Sequence, residues 1–349
     1  MPGNVGSRDL IPGVNHRSEP DVLLITREEV RNPDNNGVTP YMPSTVPLLR
    51  TTQNTLLQLR WVHRLLPFNG TTFINLIRVR QWYKNFLVFT PIVFANLLKN
   101  PDALFSAVLA FCAFCIISSS TYIFNDISDA STDAYHPKKK NRPIAAGLVS
   151  KRVAVVIATA FAGAVIAICS LLPIRFSFII LGYFLLNILY SLFLKQLFII
   201  DVLTIGAFFI LRVLGGSVAV NVQLSSWLFV ATFILALLLG FSKRSSELSS
   251  GENAKNHRKV LVQYDVVLLR TFVIISATVA LIVYLIYAII VIKNQDFLLT
   301  TPFVLYGILL FLSSSLHKGL DPDDIFRDHA FVANLILWGC VVVTTLYVF

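Results

Sequence analysis

Three aspartates in one short stretch are the residues best placed to do chemistry. Asp126, Asp129 and Asp133 lie in the sequence NDISDASTD, just after a hydrophobic run. On a helix, this spacing brings the three carboxylates to one face. They repel one another unless a cation lies between them, and hard oxygen ligands favour Mg²⁺, which often bridges to substrate phosphates. The stretch therefore predicts a magnesium site, with a solvated acidic helix end as the alternative.

A basic stretch, HPKKKNRP, follows the aspartates directly. Arg142 precedes a proline, which favours an extended backbone, and its guanidinium can bind phosphate through two hydrogen bonds. We therefore predict that Arg142 binds a phosphate group of a substrate. Lys138–Lys140 have a simpler interpretation, as an anchor to anionic lipid headgroups.

A second group of polar residues interrupts hydrophobic sequence further along the chain. Asp201 and Arg212 are eleven residues apart, close to three helical turns, so they share a helix face. Charges inside a membrane are costly, and they line a cavity or pair with one another. Both charges therefore point into the protein, as part of a site or as a structural ion pair. The other members of the group are Asn187, Tyr190 and Lys195.

Two further clusters lie near the ends of later hydrophobic runs. Lys243 and Arg244 begin the sequence KRSSE at the end of a predicted span. Basic pairs are common at the ends of spans, so this pair does not by itself indicate a site. The last of these clusters receives no role from the sequence; it comprises His317, Lys318, Asp321, Asp323 and Asp324.

The composition indicates a membrane protein. Hydrophobic residues make up 55% of the 349 residues, charged residues only 14%, and the mean hydropathy is +0.70. A soluble domain usually carries about 25% charged residues. The net charge of +10 raises the possibility of nucleic-acid binding. A bias of Lys and Arg towards one membrane face explains the same excess, so we expect no nucleic-acid partner.

Hydrophobic runs of about 20 residues predict an all-α membrane protein with nine transmembrane helices. The predicted spans are Phe73–Leu98, Ala103–Phe124, Val153–Leu172, Phe176–Leu194, Leu197–Val220, Ser226–Phe241, Leu268–Val291, Phe297–Leu316 and Ala330–Phe349.

The loops between these spans differ sharply in charge. Twenty Lys and Arg residues lie near the membrane on one side, and only Lys99, Arg175 and Lys293 lie on the other. Lys and Arg concentrate in cytoplasmic loops, so the N-terminus and the loops with the acidic clusters are predicted to be cytoplasmic. We expect a multi-pass protein of the cell inner membrane whose site faces the cytoplasm.

The N-terminal region has a different composition. Residues 1–54 are rich in Pro, Asn, Ser and Thr, which predicts a disordered cytoplasmic tail. Residues 55–70 are predicted to form an amphipathic helix and turn on the membrane surface, because Leu56, Leu59, Val62 and Leu66 can share a face opposite two arginines. The catalytic domain is predicted to cover residues 71–349.

These motifs resemble the UbiA superfamily of intramembrane prenyltransferases. The pattern NDxxDxxxD, matched by Asn125 and the three aspartates, is the first aspartate-rich motif of that family. The resemblance implies nine transmembrane helices around a central cavity. It is closer still to the branch that transfers 5-phosphoribose from phosphoribosyl pyrophosphate to long polyprenyl phosphates. That similarity extends from about residue 72 to the end and rests on Arg80–Asn85, Asn125–Gly147, Tyr190–Lys195, Asp201–Gly216 and Gly240–Leu248.

The resemblance implies a role for each candidate residue. Asp126, Asp129 and Asp133 would hold Mg²⁺ and, through it, the pyrophosphate. Arg142 and Lys195 would stabilise the charge that develops on it, and Asp201 would bind ribose hydroxyls or the metal. The candidates for the 5-phosphate or the lipid phosphate are Lys84, Lys243 and Arg244. Asn125, Tyr190 and Arg212 complete the predicted substrate-binding set.

Two other functions compete with this one. A prenyl diphosphate enzyme would alkylate an aromatic or glycerol-type acceptor with the same fold and Mg²⁺. Such enzymes usually carry a second motif, DxxxD, whereas Ile205 stands four residues after Asp201 here. A transporter with a cation site is the other alternative, but transporters place charges near the middle of the membrane.

Overall fold

The computed structural model describes residues 69–135, 139–249, 259–292, 294–317 and 319–348, and within these ranges it contains helices and no β-strand. The predicted tail (residues 1–54) lies outside the described residues. So does the predicted surface helix (residues 55–70), apart from its last two residues.

Eight helical stretches of the described residues are long and apolar enough to cross a membrane. They contain α3 (Pro101–Asp133), α4 (Lys151–Cys169), α5 (Ile174–Leu192), α6 (Ile200–Ala219), α7 (Ser226–Ser249), α8 (Val266–Ile286), α9 (Thr301–Leu316) and α10 (His329–Tyr347). They match the second to ninth predicted spans. Four of these helices begin at side-chain caps, because Asn100, Ser150, Asp265 and Asp328 accept hydrogen bonds from backbone N–H groups of the first turn.

The first predicted span, Phe73–Leu98, is not one regular helix. It consists of α1 (Gly70–Leu76), a 3₁₀ segment (Val79–Phe89, hereafter segment 79–89) and α2 (Thr90–Phe94). Arg78 separates α1 from the segment with a left-handed backbone (φ 53°). At roughly 2.0 Å per residue for a 3₁₀ helix and 1.5 Å for an α-helix, the segment and α2 together extend about 30 Å. The number of nine crossings stays a prediction.

Segment 79–89 lies in close contact with α6. A side chain on Gly216 would come within 2.0 Å of the carbonyl oxygen of Val88, so only glycine allows the two backbones to approach this closely. The segment also contacts α3, because Trp82 Nε1 donates to the Ser119 hydroxyl oxygen at 3.0 Å. Segment 79–89 is therefore fixed against two long helices, and its polar side chains have defined positions.

Candidate active site

Asp126 and Asp133 converge on one arginine. The Asp126 Oδ1 atom lies 3.0 Å from Arg142 Nη1, and the Asp133 Oδ2 atom lies 2.5 Å from the same nitrogen. Both aspartates are buried, because α3 continues beyond the predicted end of its span and keeps them on its inner face. Two carboxylates at the end of a membrane helix thus share one positive group.

A second arginine completes this cluster from the opposite side. Arg78 Nη2 donates to Asp126 Oδ1, and its guanidinium lies 4.7 Å from the centre of the Tyr122 ring. The left-handed backbone at Arg78 turns the chain between α1 and segment 79–89 at this point. Lys139 also approaches Asp133, at 3.9 Å. The acidic motif is therefore surrounded by cations from two separate parts of the chain.

Asp129 and Asn125 lie less deeply. Both are half-buried, and Asp129 forms no ion pair with either arginine in the described part of the chain. Across the described residues, no three acidic, His or Cys side chains come together as a metal site. The convergence expected of all three aspartates is thus seen for Asp126 and Asp133, and metal binding by Asp129 stays a prediction.

The pair of carboxylates fits a magnesium ion. Their oxygen atoms approach one cationic nitrogen closely, so a divalent cation at that position would meet two hard ligands. Mg²⁺ typically takes one or two carboxylates and keeps several waters. Asp126 and Asp133 are therefore the residues that would hold the metal.

Asp201 belongs to a different network, in which Asp201 and Arg244 are themselves buried. Its Oδ2 atom accepts a hydrogen bond of 2.6 Å from Arg244 Nε, and its Oδ1 atom accepts one of 2.8 Å from the Tyr264 hydroxyl. Arg244 also donates to Glu247 and to the Tyr190 hydroxyl. Burial and the adjacent Asp201 carboxylate raise the pKa of Tyr264, which keeps the phenol protonated as a donor.

This network changes the expectation for three predicted site residues. Asp201, Tyr190 and Arg244 bind one another, and every nitrogen of the Arg244 guanidinium is already engaged. The idea that Asp201 pairs with Arg212 is wrong. Eleven residues of α-helix rise about 16 Å, so a shared face does not bring the two side chains into contact.

Arg212 instead lies deep in the bundle among uncharged partners. It donates to the Asn85 side chain (2.7 Å), to the Phe208 carbonyl (2.8 Å) and to the Tyr183 hydroxyl (2.8 Å). Only 3% of Arg212 is exposed. These bonds join α6 to segment 79–89 and to α5, so Arg212 helps to hold the elements that carry the site.

Lys195 stands apart from both networks. It lies half-buried in a short 3₁₀ turn (Leu194–Gln196) and forms no ion pair within the described ranges. Asn187 hydrogen-bonds the backbone carbonyl of Tyr183 one turn earlier, which is an interaction within α5. The predicted role of Lys195 in charge stabilisation stays a prediction.

Asp323 forms a third cluster that the sequence did not predict. Its carboxylate accepts a hydrogen bond of 2.6 Å from the Tyr83 hydroxyl and lies 3.0 Å from Lys84 Nζ. Gln81 donates to it at 3.3 Å, and Lys243 Nζ lies at 3.8 Å. Burial acts in the opposite direction, but the charges of Lys84 and Lys243 hold the pKa of Asp323 well below its usual range.

Segment 79–89 connects this cluster to the aspartate motif. Side chains three residues apart eclipse one another on a 3₁₀ helix, so Gln81 and Lys84 lie in one row. Arg78 immediately precedes the segment and contacts Asp126, whereas Gln81 and Lys84 contact Asp323. One short stretch of chain, from Arg78 to Lys84, thus links two separate groups of cations.

The sequence matches the UbiA prenyltransferase family over residues 87–335. This match covers most of the chain, and the protein belongs to that family. The solved structures agree: a UbiA homologue from Archaeoglobus fulgidus bound to DMAPP and Mg²⁺ is similar with a TM-score of 0.62. The similarity covers 80% of this chain and 100% of that one at 16% identity. It therefore supports the fold, and family membership favours a transferase over a transporter.

Two curated relatives are more similar in sequence. A decaprenyl-phosphate phosphoribosyltransferase of Mycolicibacterium smegmatis is 31% identical over 220 residues, which cover 62% of this chain and 69% of that protein. An uncharacterized protein, y4nM, of Sinorhizobium fredii is 33% identical over 175 residues. Those residues are 50% of this chain and 34% of y4nM, so the match spans about a third of that relative.

Proposed function

We propose that this protein transfers 5-phosphoribose from phosphoribosyl pyrophosphate to a polyprenyl phosphate in a Mg²⁺-dependent reaction that releases pyrophosphate. The observation that carries the proposal is the presence of two separate cation groups, Arg78 with Arg142 and Lys84 with Lys243, which the chain from residue 78 to residue 84 links. The donor has two separate anionic ends, the pyrophosphate on C1 and the phosphate on C5. A prenyl diphosphate has only one. The similarity to a decaprenyl-phosphate phosphoribosyltransferase supports the same choice.

The proposed reaction requires positive charge to stabilise the leaving group, and it requires no general base. An oxygen of the lipid phosphate attacks C1 of ribose, and the bond from C1 to the pyrophosphate oxygen breaks. The attacking oxygen is already negatively charged, so no residue has to remove a proton. Asp126 and Asp133 would hold Mg²⁺, which would supply positive charge to the leaving pyrophosphate. Arg142, a quarter exposed and next to both carboxylates, binds the same group.

The second substrate and the product of the proposed reaction are lipids. Asp133 ends α3, and Arg142 and Asp323 lie in connections between the long apolar helices, which supports a site at the bilayer surface, where a lipid phosphate would lie. We propose that this is the cytoplasmic face of the cell inner membrane. A cysteine introduced near Lys139 should stay unlabelled by an impermeant reagent in intact cells, and strong labelling would contradict this orientation.

One assay tests the reaction directly. Purified protein is incubated with Mg²⁺, labelled phosphoribosyl pyrophosphate and polyprenyl phosphates of several lengths. A labelled lipid that appears only with Mg²⁺ supports the proposal. A parallel reaction offers a prenyl diphosphate and 4-hydroxybenzoate. Prenylation of the aromatic acceptor, with no labelled lipid in the first reaction, would show that the protein is a prenyltransferase in the strict sense.

A further inference from the structure

Asp323 lies on a loop whose backbone is fixed by contacts with the rest of the protein. The loop contains a 3₁₀ turn, Pro322–Arg327, and the Asp321 side chain caps it by accepting from the Asp323 backbone N–H at 3.0 Å. Ile325 is 3% exposed, and the Phe326 ring lies 4.4 Å from the ring of Tyr83. The backbone of this turn is therefore fixed against segment 79–89, and the carboxylate of Asp323 has a defined position.

The groups around Asp323 retain capacity to bind a further anion. An ammonium group has three N–H donors. Lys84 donates to Gln81 Oε1 and to Asp323, and Lys243 approaches Asp323 at 3.8 Å. The side chains of Lys84 and Lys243 are 17% and 34% exposed, so a ligand can reach them. Without a carboxylate between them, the two ammonium groups would repel each other and separate.

We infer that Asp323 is a positioning residue that holds Tyr83, Lys84 and Lys243 together as one phosphate subsite. The subsite takes the 5-phosphate of the donor, while the pyrophosphate lies at Asp126, Asp133 and Arg142. This assignment rests on the proposed function. It is supported by the contacts of one short stretch of chain: Arg78 binds Asp126, and Lys84, six residues later, binds Asp323. Both ends of one donor molecule then have a partner.

The test is the Asp323→Asn variant, with Asp324→Asn as the matched control. Asp324 is the next residue and carries the same charge, but its ion pair with Arg327 lies at the surface, with side chains 40% and 63% exposed. Interactions with charged groups contribute about 1.5–3 kcal/mol, so Asp323→Asn should raise the KM for phosphoribosyl pyrophosphate about 10- to 100-fold. The KM for polyprenyl phosphate should change little. Asp323→Glu should restore part of the loss, and Asp324→Asn should behave as the wild type.

Two inhibitors locate the defect within the donor site. Ribose 5-phosphate should inhibit the Asp323→Asn variant much more weakly than the wild type, whereas inorganic pyrophosphate should inhibit both equally. If pyrophosphate also loses affinity, or if only kcat falls, the residue does not position a 5-phosphate subsite. For a variant with low activity, calorimetry can measure the binding of both inhibitors and so provide the same comparison. A wild-type protein that makes no phosphoribosyl lipid overturns the proposed function itself, which is a different outcome.

Discussion

Asp126 and Asp201 both bind an arginine, but the two pairs differ in what surrounds the arginine. The arginines at Asp126 keep 23% and 25% of their side chains exposed. Arg244, which binds Asp201, keeps 1%. The first pair lies where a loop meets the end of a helix, and the second lies between α6, α7 and the chain before α8.

This difference separates an exchangeable ion pair from a structural one. A partly exposed arginine can move away from its carboxylate and be replaced by a metal ion or a substrate phosphate, because water solvates it during the exchange. A buried arginine has no such path, since leaving its partners would expose an unpaired charge to the interior of the protein. We therefore propose that the Asp126 cluster binds substrate and that the Asp201 network stabilises helix packing. Four predictions test this contrast.

The largest effect is expected at Asp126. The Asp126→Asn substitution removes a metal ligand that contributes several kcal/mol, so kcat/KM should fall about 1,000-fold at roughly tenfold per 1.36 kcal/mol. The folded protein should persist, because Arg78 and Arg142 can turn to solvent. Steady-state kinetics at several Mg²⁺ concentrations measure the loss. Near-normal turnover of the variant in the presence of EDTA would show that Asp126 does not bind a catalytic metal ion.

The next effect concerns stability rather than chemistry. Arg244→Met leaves the carboxylate of Asp201 buried without its cation, which should lower the free energy of unfolding by about 3–5 kcal/mol. The double variant Asp201→Leu/Arg244→Met should recover part of that loss, because neither charge remains. Thermal unfolding in detergent measures both. If Arg244→Met is as stable as the wild type but inactive, Arg244 is a substrate ligand as the sequence suggested.

A smaller effect is expected at Arg78. This arginine shares Asp126 with Arg142, so it competes with a metal ion for the same carboxylate. Arg78→Gln removes one positive charge near the predicted metal site. The Mg²⁺ concentration for half-maximal activity should therefore fall several-fold, as expected for partly exposed charges. Magnesium titration of activity provides the measurement. An unchanged or higher Mg²⁺ requirement would argue that the metal lies away from Asp126.

The smallest effect concerns pH. The pKa of Asp323 is lowered in the folded protein from about 3.9 in the unfolded chain. Its contribution to stability is therefore fully present above about pH 5 and is lost progressively as the pH falls past the unfolded pKa and through the lower, folded pKa. The difference in Tm between the wild type and Asp323→Asn should stay constant from pH 8 to about 5. A difference that shrinks near neutral pH would contradict this ion pair.

Hydropathy predicted the helical membrane fold well, because every spanning helix must present apolar side chains to lipid. It located the middle of each span better than its end. Helices α3 and α7 continue to Asp133 and Ser249, well beyond the predicted ends at Phe124 and Phe241. The added turns are polar, and a polar turn outside the lipid gives no hydropathy signal even when it is helical.

The partners of the charged residues were harder to predict. The spacing of the aspartates correctly predicted that Asp126 and Asp133 lie close together, because helical geometry alone determines this proximity. By contrast, Asp323 lies about 240 residues from Tyr83 and Lys84, and Asp201 lies 43 residues from Arg244. Such contacts depend on how helices pack against one another, which a local pattern does not contain. Lys84 and Lys243 were predicted as candidate phosphate ligands, and their motifs did not identify the carboxylate of Asp323 that they contact.

The 3₁₀ geometry of segment 79–89 makes the row of polar side chains sensitive to length. With three residues per turn, Gln81 and Lys84 stack directly, whereas on an α-helix Lys84 would turn about 60° from Gln81. Inserting a single residue between Gln81 and Lys84 would rotate the far end by about 120° and carry Lys84 away from Asp323. The position of the Lys84 ammonium group therefore depends on the number of residues in the segment as well as on their identity.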